Sequence, residues 1–90
     1  GYQAGYNNTT GTRNTSLGQQ AGSGITTGSY NTAIGSQTFA ATLTGSENTT
    51  VGYGSSYSMT SGQYNTAIGR AALFSTSTAS GPCFVAHSSQ

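Results

Sequence analysis

Few side chains in this chain of ninety residues can do chemistry: one carboxylate, Glu47, one thiol, Cys83, one imidazole, His87, and two guanidinium groups, Arg13 and Arg70. Nucleophilic or acid–base catalysis needs a nucleophile, a base and an orienting group brought together. Cys83 and His87 stand four residues apart, yet no acid lies near them to orient the imidazole. A structural zinc site asks for about four ligands, and one cysteine and one histidine fall short of that. No catalytic, cofactor-binding or metal-binding residue is therefore assigned, and the chain is not expected to be an enzyme.

The same scarcity removes further classes. Charged residues make up 3% of the chain, against roughly 25% in ordinary soluble domains, so no basic patch exists for nucleic acid. No apolar run approaches the roughly 20 residues of a membrane span, and direct membrane insertion is not expected. A single cysteine cannot close an intrachain disulfide and does not report a redox compartment. The chain opens at Gly1 without a basic and apolar leader, and it reads as a piece of something longer. Gly, Ser, Thr, Asn and Gln dominate, with a single proline, Pro82. Composition of this kind is compatible with a low-complexity linker, but the order along the chain argues against one.

That order is a repeat. The segments NTSLG, NTAIG, NTTVG and NTAIG begin at Asn14, Asn31, Asn48 and Asn65, a constant 17-residue step. Cut at this period from Gly1, the chain forms five rows, the last ending at Val85, with residues 86–90 left over and no insertion required. Gly1, Gly18, Gly35, Gly52 and Gly69 open the rows, and Gly11, Gly28, Gly45 and Gly62 recur at the eleventh place. Two glycines per period predict two corners needing positive φ or close backbone approach. Each eleventh-place glycine follows Thr10, Thr27, Thr44 or Ser61, a plausible turn pair. The seventeenth column, Leu17, Ile34, Val51, Ile68 and Val85, is wholly aliphatic, and its side chains are expected to face a core.

Strands alternate their side chains. Thr15, Thr32, Thr49 and Thr66 should therefore share the inward face with the aliphatic column, while Ser16, Ala33, Thr50 and Ala67 point the other way. Each period is then one coil of an all-β parallel solenoid with short strands and glycine corners. Five coils at about 4.8 Å make a rod of roughly 24 Å. The abundance of Gly, Thr, Ser and Asn disfavours a helix. One aliphatic column makes a thin core: each such side chain contributes about 1.5 to 3 kcal/mol on burial, against an ordering cost of roughly 1 to 2 kcal/mol for every backbone residue. Sharing that column among chains around an axis is the economical remedy, and open end coils leave strand edges that invite association.

The four motifs, with small residues following as in GQQAG, resemble the head repeats of YadA-like trimeric autotransporter adhesins and related repeats of bacteriophage tail fibres. The resemblance covers about residues 1–79. It implies a left-handed parallel β-roll, here five coils over residues 1–85, three chains packed about a threefold axis, and a stiff rod on a bacterial or virion surface. It also implies an extracellular structural segment serving as shaft and host attachment, with copies of itself as partners. The family's repeats are often shorter than the one found here, and the last row departs from the pattern. There Pro82 stands in the asparagine column, Cys83 in the threonine column, Phe84 in the small column and Ala86 in the glycine column. Residues 86–90 are accordingly expected to be a cap or a passage to another element.

The repeat itself reads as architecture. Asn14, Asn31, Asn48 and Asn65 can form amide ladders or Asx turns at a corner. Asn7, Asn8, Asn14 and Asn48 also head N-x-S/T sequons, but Asn31 and Asn65 do not, so the column follows structure. The thirteenth column, Arg13, Tyr30, Glu47 and Tyr64, keeps its place while changing chemistry, which marks an exposed position. Tyr2, Tyr53 and Arg70 occupy a second such column. Tyrosine rings and planar guanidinium forks in these columns are the candidates for contact with a host-surface glycan or protein. Two alternatives remain: an ice-binding solenoid carried by the threonine ranks, weakened by the expected inward direction of one rank, and a self-stacking filament.

Overall fold

The computed structural model describes residues 3–72 and 80–85. Tyr2, His87 and the expected cap at 86–90 lie outside the described residues. The described chain is all-β, with strands β1 (Thr15–Leu17), β2 (Thr32–Ile34), β3 (Thr49–Val51), β4 (Gln63–Ile68) and β5 (Ser80–Val85). All neighbours pair in parallel, in the order β1-β2-β3-β4-β5. Thr15, Thr32, Thr49 and Thr66 stack as backbone partners, as do Leu17, Ile34, Val51 and Ile68. The sequence period is thus the strand register from β1 to β4.

The glycines explain why three of these strands are only three residues long. Gly18, Gly35, Gly52 and Gly69 follow their strands directly with φ of 122°, 119°, 123° and 127°, a region that side chains bearing Cβ rarely enter. The eleventh-place glycines serve by the other means. A Cβ on Gly28 would strike the carbonyl oxygen of Gly45 and come within 2.8 Å of Asn31 Nδ2, so that corner needs close backbone approach.

The direction of the strand faces is opposite to the expectation. Thr15, Thr32, Thr49 and Thr66 do share a face with Leu17, Ile34, Val51 and Ile68, but within the chain that face is outward. Leu17 is 59% and Ile68 40% exposed, and Ile34 and Val51 are half-buried. Ala33, Thr50 and Ala67 are fully buried instead. The cause is space. The fourth-place residues Ala21, Thr38, Ser55 and Ala72 are all small and buried, so the opposing turn lies close to the inner face of the strands. A Cβ on Gly22 would stand 3.4 Å from Ala33 Cβ and 3.1 Å from Ile25 Cδ1. Thr50 and Ser55 are close enough to share a hydroxyl hydrogen bond. An isoleucine turned inward at position 33 would have no room.

Among the described residues, the interior holds four large apolar side chains, Ile25, Phe39, Leu43 and Met59, all essentially without exposure. They do not follow one column of the repeat. Ile25 bridges in parallel to Leu43, one place beyond the period, while Met59 follows Leu43 one place short of it. Ile25, Leu43 and Met59 thus reach one place by slipping one residue and slipping back, and Phe39 adds a second anchor to the middle turn.

A second slip persists at the last strand. Gln63 pairs with Ser80, but Asn65, Thr66 and Ala67 pair with Cys83, Phe84 and Val85, with the irregularity between Gln63 and Asn65. The expectation that no insertion is needed holds only as far as β4. Cys83, not Pro82, is the register partner of the asparagine column, and Val85 aligns with Ala67 rather than with the aliphatic column. Proline has no N–H for the ladder and is tolerated at bulges, which fits its place at this irregularity.

The asparagine ladder and a candidate interface

The asparagines form a continuous ladder on the inner side of the corner. Asn14 Oδ1 accepts the backbone N–H of Asn31 at 2.9 Å, Asn31 Oδ1 accepts that of Asn48 at 3.0 Å, and Asn48 Oδ1 accepts that of Asn65 at 3.0 Å. The amide nitrogens reach the eleventh-place carbonyls: Asn14 to Gly28 at 2.8 Å, Asn31 to Gly45 at 3.0 Å and Asn48 to Gly62 at 2.8 Å. Neighbouring amides also bond each other, Asn48 to Asn31 and Asn65 to Asn48, both at 3.1 Å. A carbonyl oxygen and an NH₂ on one short side chain are what this double task requires. Aspartate could not donate, and glutamine would be one methylene too long. The glycine at the eleventh place and the asparagine at the fourteenth are thus one device, since any Cβ there would obstruct the amide. Asn31, Asn48 and Asn65 are buried, and the asparagine column is structural.

Polar stacking continues beside this ladder. Ser29 Oγ accepts the N–H of Thr12, and Ser46 Oγ accepts that of Ser29, both at 3.0 Å. Gln20 Nε2 donates to Gln3 Oε1 at 3.0 Å. The sequence reading missed these contacts and the Ile25, Phe39, Leu43 and Met59 interior. The uniformly small fourth column, Ala4, Ala21, Thr38, Ser55 and Ala72, was the available sign that the inside lay on that side.

The outward face of β1 to β4 is the candidate functional surface. Its centre is a strip of stacked Thr and Leu, Ile or Val side chains, about 19 Å tall for four strands at about 4.8 Å each. The two variable columns border it. Arg13, Tyr30 and Glu47 precede β1, β2 and β3 by two positions, and Tyr64 is the second residue of β4; all four are exposed, Tyr30 by 50% and Tyr64 by 56%. Gln19, Ser36, Tyr53 and Arg70 follow the strands on the other side, with Tyr53 53% exposed.

The thirteenth column holds an unexpected backbone. Arg13, Tyr30, Glu47 and Tyr64 have φ of 58°, 61°, 62° and 61°, the left-handed region that costs an L-residue roughly 1 to 2 kcal/mol. Each of the last three is fixed there by its own N–H, which donates to Thr12, Ser29 and Ser46 carbonyls respectively at 3.0, 3.0 and 3.3 Å. Both cations of the chain stack on tyrosines of an adjacent level. The Arg13 guanidinium lies 5.5 Å from the Tyr30 ring centroid and donates to its hydroxyl at 2.7 Å, and that of Arg70 lies 5.9 Å from the Tyr53 ring. The structure thus groups the sequence-predicted surface residues into two rims on either side of one strip.

Among the described residues there is no group of three or more His, Cys, Asp or Glu side chains that could hold a metal ion, and no helix long and apolar enough to cross a membrane. No family model, curated protein or solved structure matches this chain.

Proposed function

We propose that this chain is a structural segment of a trimeric extracellular surface fibre, a left-handed β-roll of 17-residue coils that serves as a rigid shaft and carries host or surface attachment. A phage tail fibre and a bacterial adhesin head are the two settings its repeats resemble. The observation that carries the reading is the outward aliphatic column. Leu17, Ile34, Val51 and Ile68 repeat at every level yet are only partly covered by their own chain, and a regular exposed apolar strip marks an interaction surface. Three such strips meeting at an axis would add a second core, between chains, to the one inside each chain.

The test is the number of chains in solution, measured by light scattering on the segment with its natural flanks. A trimer is expected, and a stable monomer overturns the reading.

A second reading, an ice-binding solenoid, is favoured by one specific observation. The rank Thr15, Thr32, Thr49 and Thr66 lies on the outward face, paired at every level with an aliphatic residue, and Thr10, Thr27 and Thr44 are exposed as well. Regular hydroxyl and methyl ranks on a flat parallel sheet suit an ordered water lattice. Thermal hysteresis from a monomeric sample is the expected result for this reading, and its absence removes it.

A further inference from the structure

The strip between the rims is narrow. Three residues at about 3.3 Å each make it roughly 10 Å wide, so its area is on the order of 200 Å², well short of the roughly 800 Å² per partner of a standard stable interface. Whatever covers the strip must also take the columns beside it. Those columns are rich in Tyr and Arg, the residue types enriched at interface hot spots. One of them keeps four large side chains on left-handed backbone where glycine would be easier to place.

The charges indicate which rim meets which. Glu47, the chain's one acid, precedes β3, and Arg70 follows β4 on the opposite side of the strip. About six residues of near-extended chain, roughly 20 Å, separate the two sides, so Glu47 and Arg70 cannot meet within a chain. Between copies they can. Side by side and level with one another, two copies place the thirteenth column of one against the second column of the next. Glu47 then faces Tyr53, Tyr64 faces Arg70, and Arg70 lies one strand spacing, about 4.8 Å along the stack, from Glu47.

We propose that these two rims are each other's partners: the column Arg13, Tyr30, Glu47, Tyr64 of one copy packs against the column Gln19, Ser36, Tyr53, Arg70 of the next, with Arg70 received between Tyr64 and Glu47. This rests on the reading of the strip as the meeting face of three chains. It is a heterologous contact, which closes into a ring, and it assigns the exposed Tyr and Arg columns to assembly rather than to a host ligand. Tyr6 and Tyr57, exposed outside both columns, are then the candidate aromatics for an outside ligand.

Crosslinking tests it. In a Cys83→Ser background, a chain carrying both Tyr64→Cys and Arg70→Cys is treated with a bifunctional maleimide too short to span the strip, while chain number is followed by light scattering. The expected result is a covalent trimer on a denaturing gel from the double variant, and no crosslink from either single variant. Trimers in solution without crosslinks overturn the rim pairing and leave the fibre reading standing, whereas monomers of the Cys83→Ser parent overturn both. Covalent dimers alone, or crosslinks from a single variant, overturn the heterologous ring. As an independent check, Glu47→Arg should weaken trimer formation about tenfold and Glu47→Arg with Arg70→Glu should restore it; a double variant no better than the single overturns the assigned contact.

Discussion

The two faces of the same short strands obey different rules. On the inner face Ser16, Ala33, Thr50 and Ala67 are small because the opposing turn, itself lined by Ala21, Thr38, Ser55 and Ala72, comes close. On the outer face Thr, Leu, Ile and Val suit a pleated surface and meet no opposing layer of their own chain. Size is thus limited inside and free outside. A small residue in a repeat can mark the tighter packing, and a large aliphatic can mark a surface that packs on something else.

Ala33 and Ile34, adjacent in β2, give the sharpest way to break this contrast. Ala33→Asp puts an uncompensated carboxylate into a fully buried site and should cost more than about 4 kcal/mol, enough to abolish folding. Circular dichroism would show loss of the β signal, and a folded variant would mean that the inner face is not closed.

Asn48→Ala comes next. It strands the N–H of Asn65 and the carbonyl of Gly62, each buried group costing about 1 to 3 kcal/mol when unpaired. A loss of about 3 kcal/mol in denaturant unfolding is expected. Asn14→Ala strands the N–H of Asn31 and the carbonyl of Gly28 at the half-buried first level and should show a clearly smaller loss, about 1 kcal/mol. Equal losses at the two sites would argue against burial as the cause.

Ile34→Thr retains β-branching on the outer face. The chain's own stability should change by less than about 1 kcal/mol, while sedimentation should show weakened assembly. An unfolded variant would return Ile34 to the interior. The smallest effect expected is a gain: Glu47→Gly relieves left-handed backbone but loosens the unfolded chain, for a net stabilisation of roughly 0.5 kcal/mol by thermal melting. A clear loss would show that Glu47 has partners within its chain.

Much of the architecture was legible. The constant repeat length, the stacking of Asn14, Asn31, Asn48 and Asn65, and the two kinds of glycine corner follow from residue types that few other conformations would tolerate. The exposure of Arg13, Tyr30, Glu47 and Tyr64 was legible from their variation within a fixed column. Their left-handed backbone was not, because none of the four is a residue that favours it. The interior was missed for a related reason: Ile25, Leu43 and Met59 reach one place through a step one longer than the period and a step one shorter, and a fixed column count scatters them.

By itself, the sequence determined which strand residues stack from β1 to β4 and which share a face, since both follow from repeat length and strand alternation. Which face turns inward was decided only by the tertiary structure. Alternation has no sign, and the sign comes from the volume left between a strand and the turn opposite it. Here that volume accepts alanine and threonine and leaves the isoleucines outside.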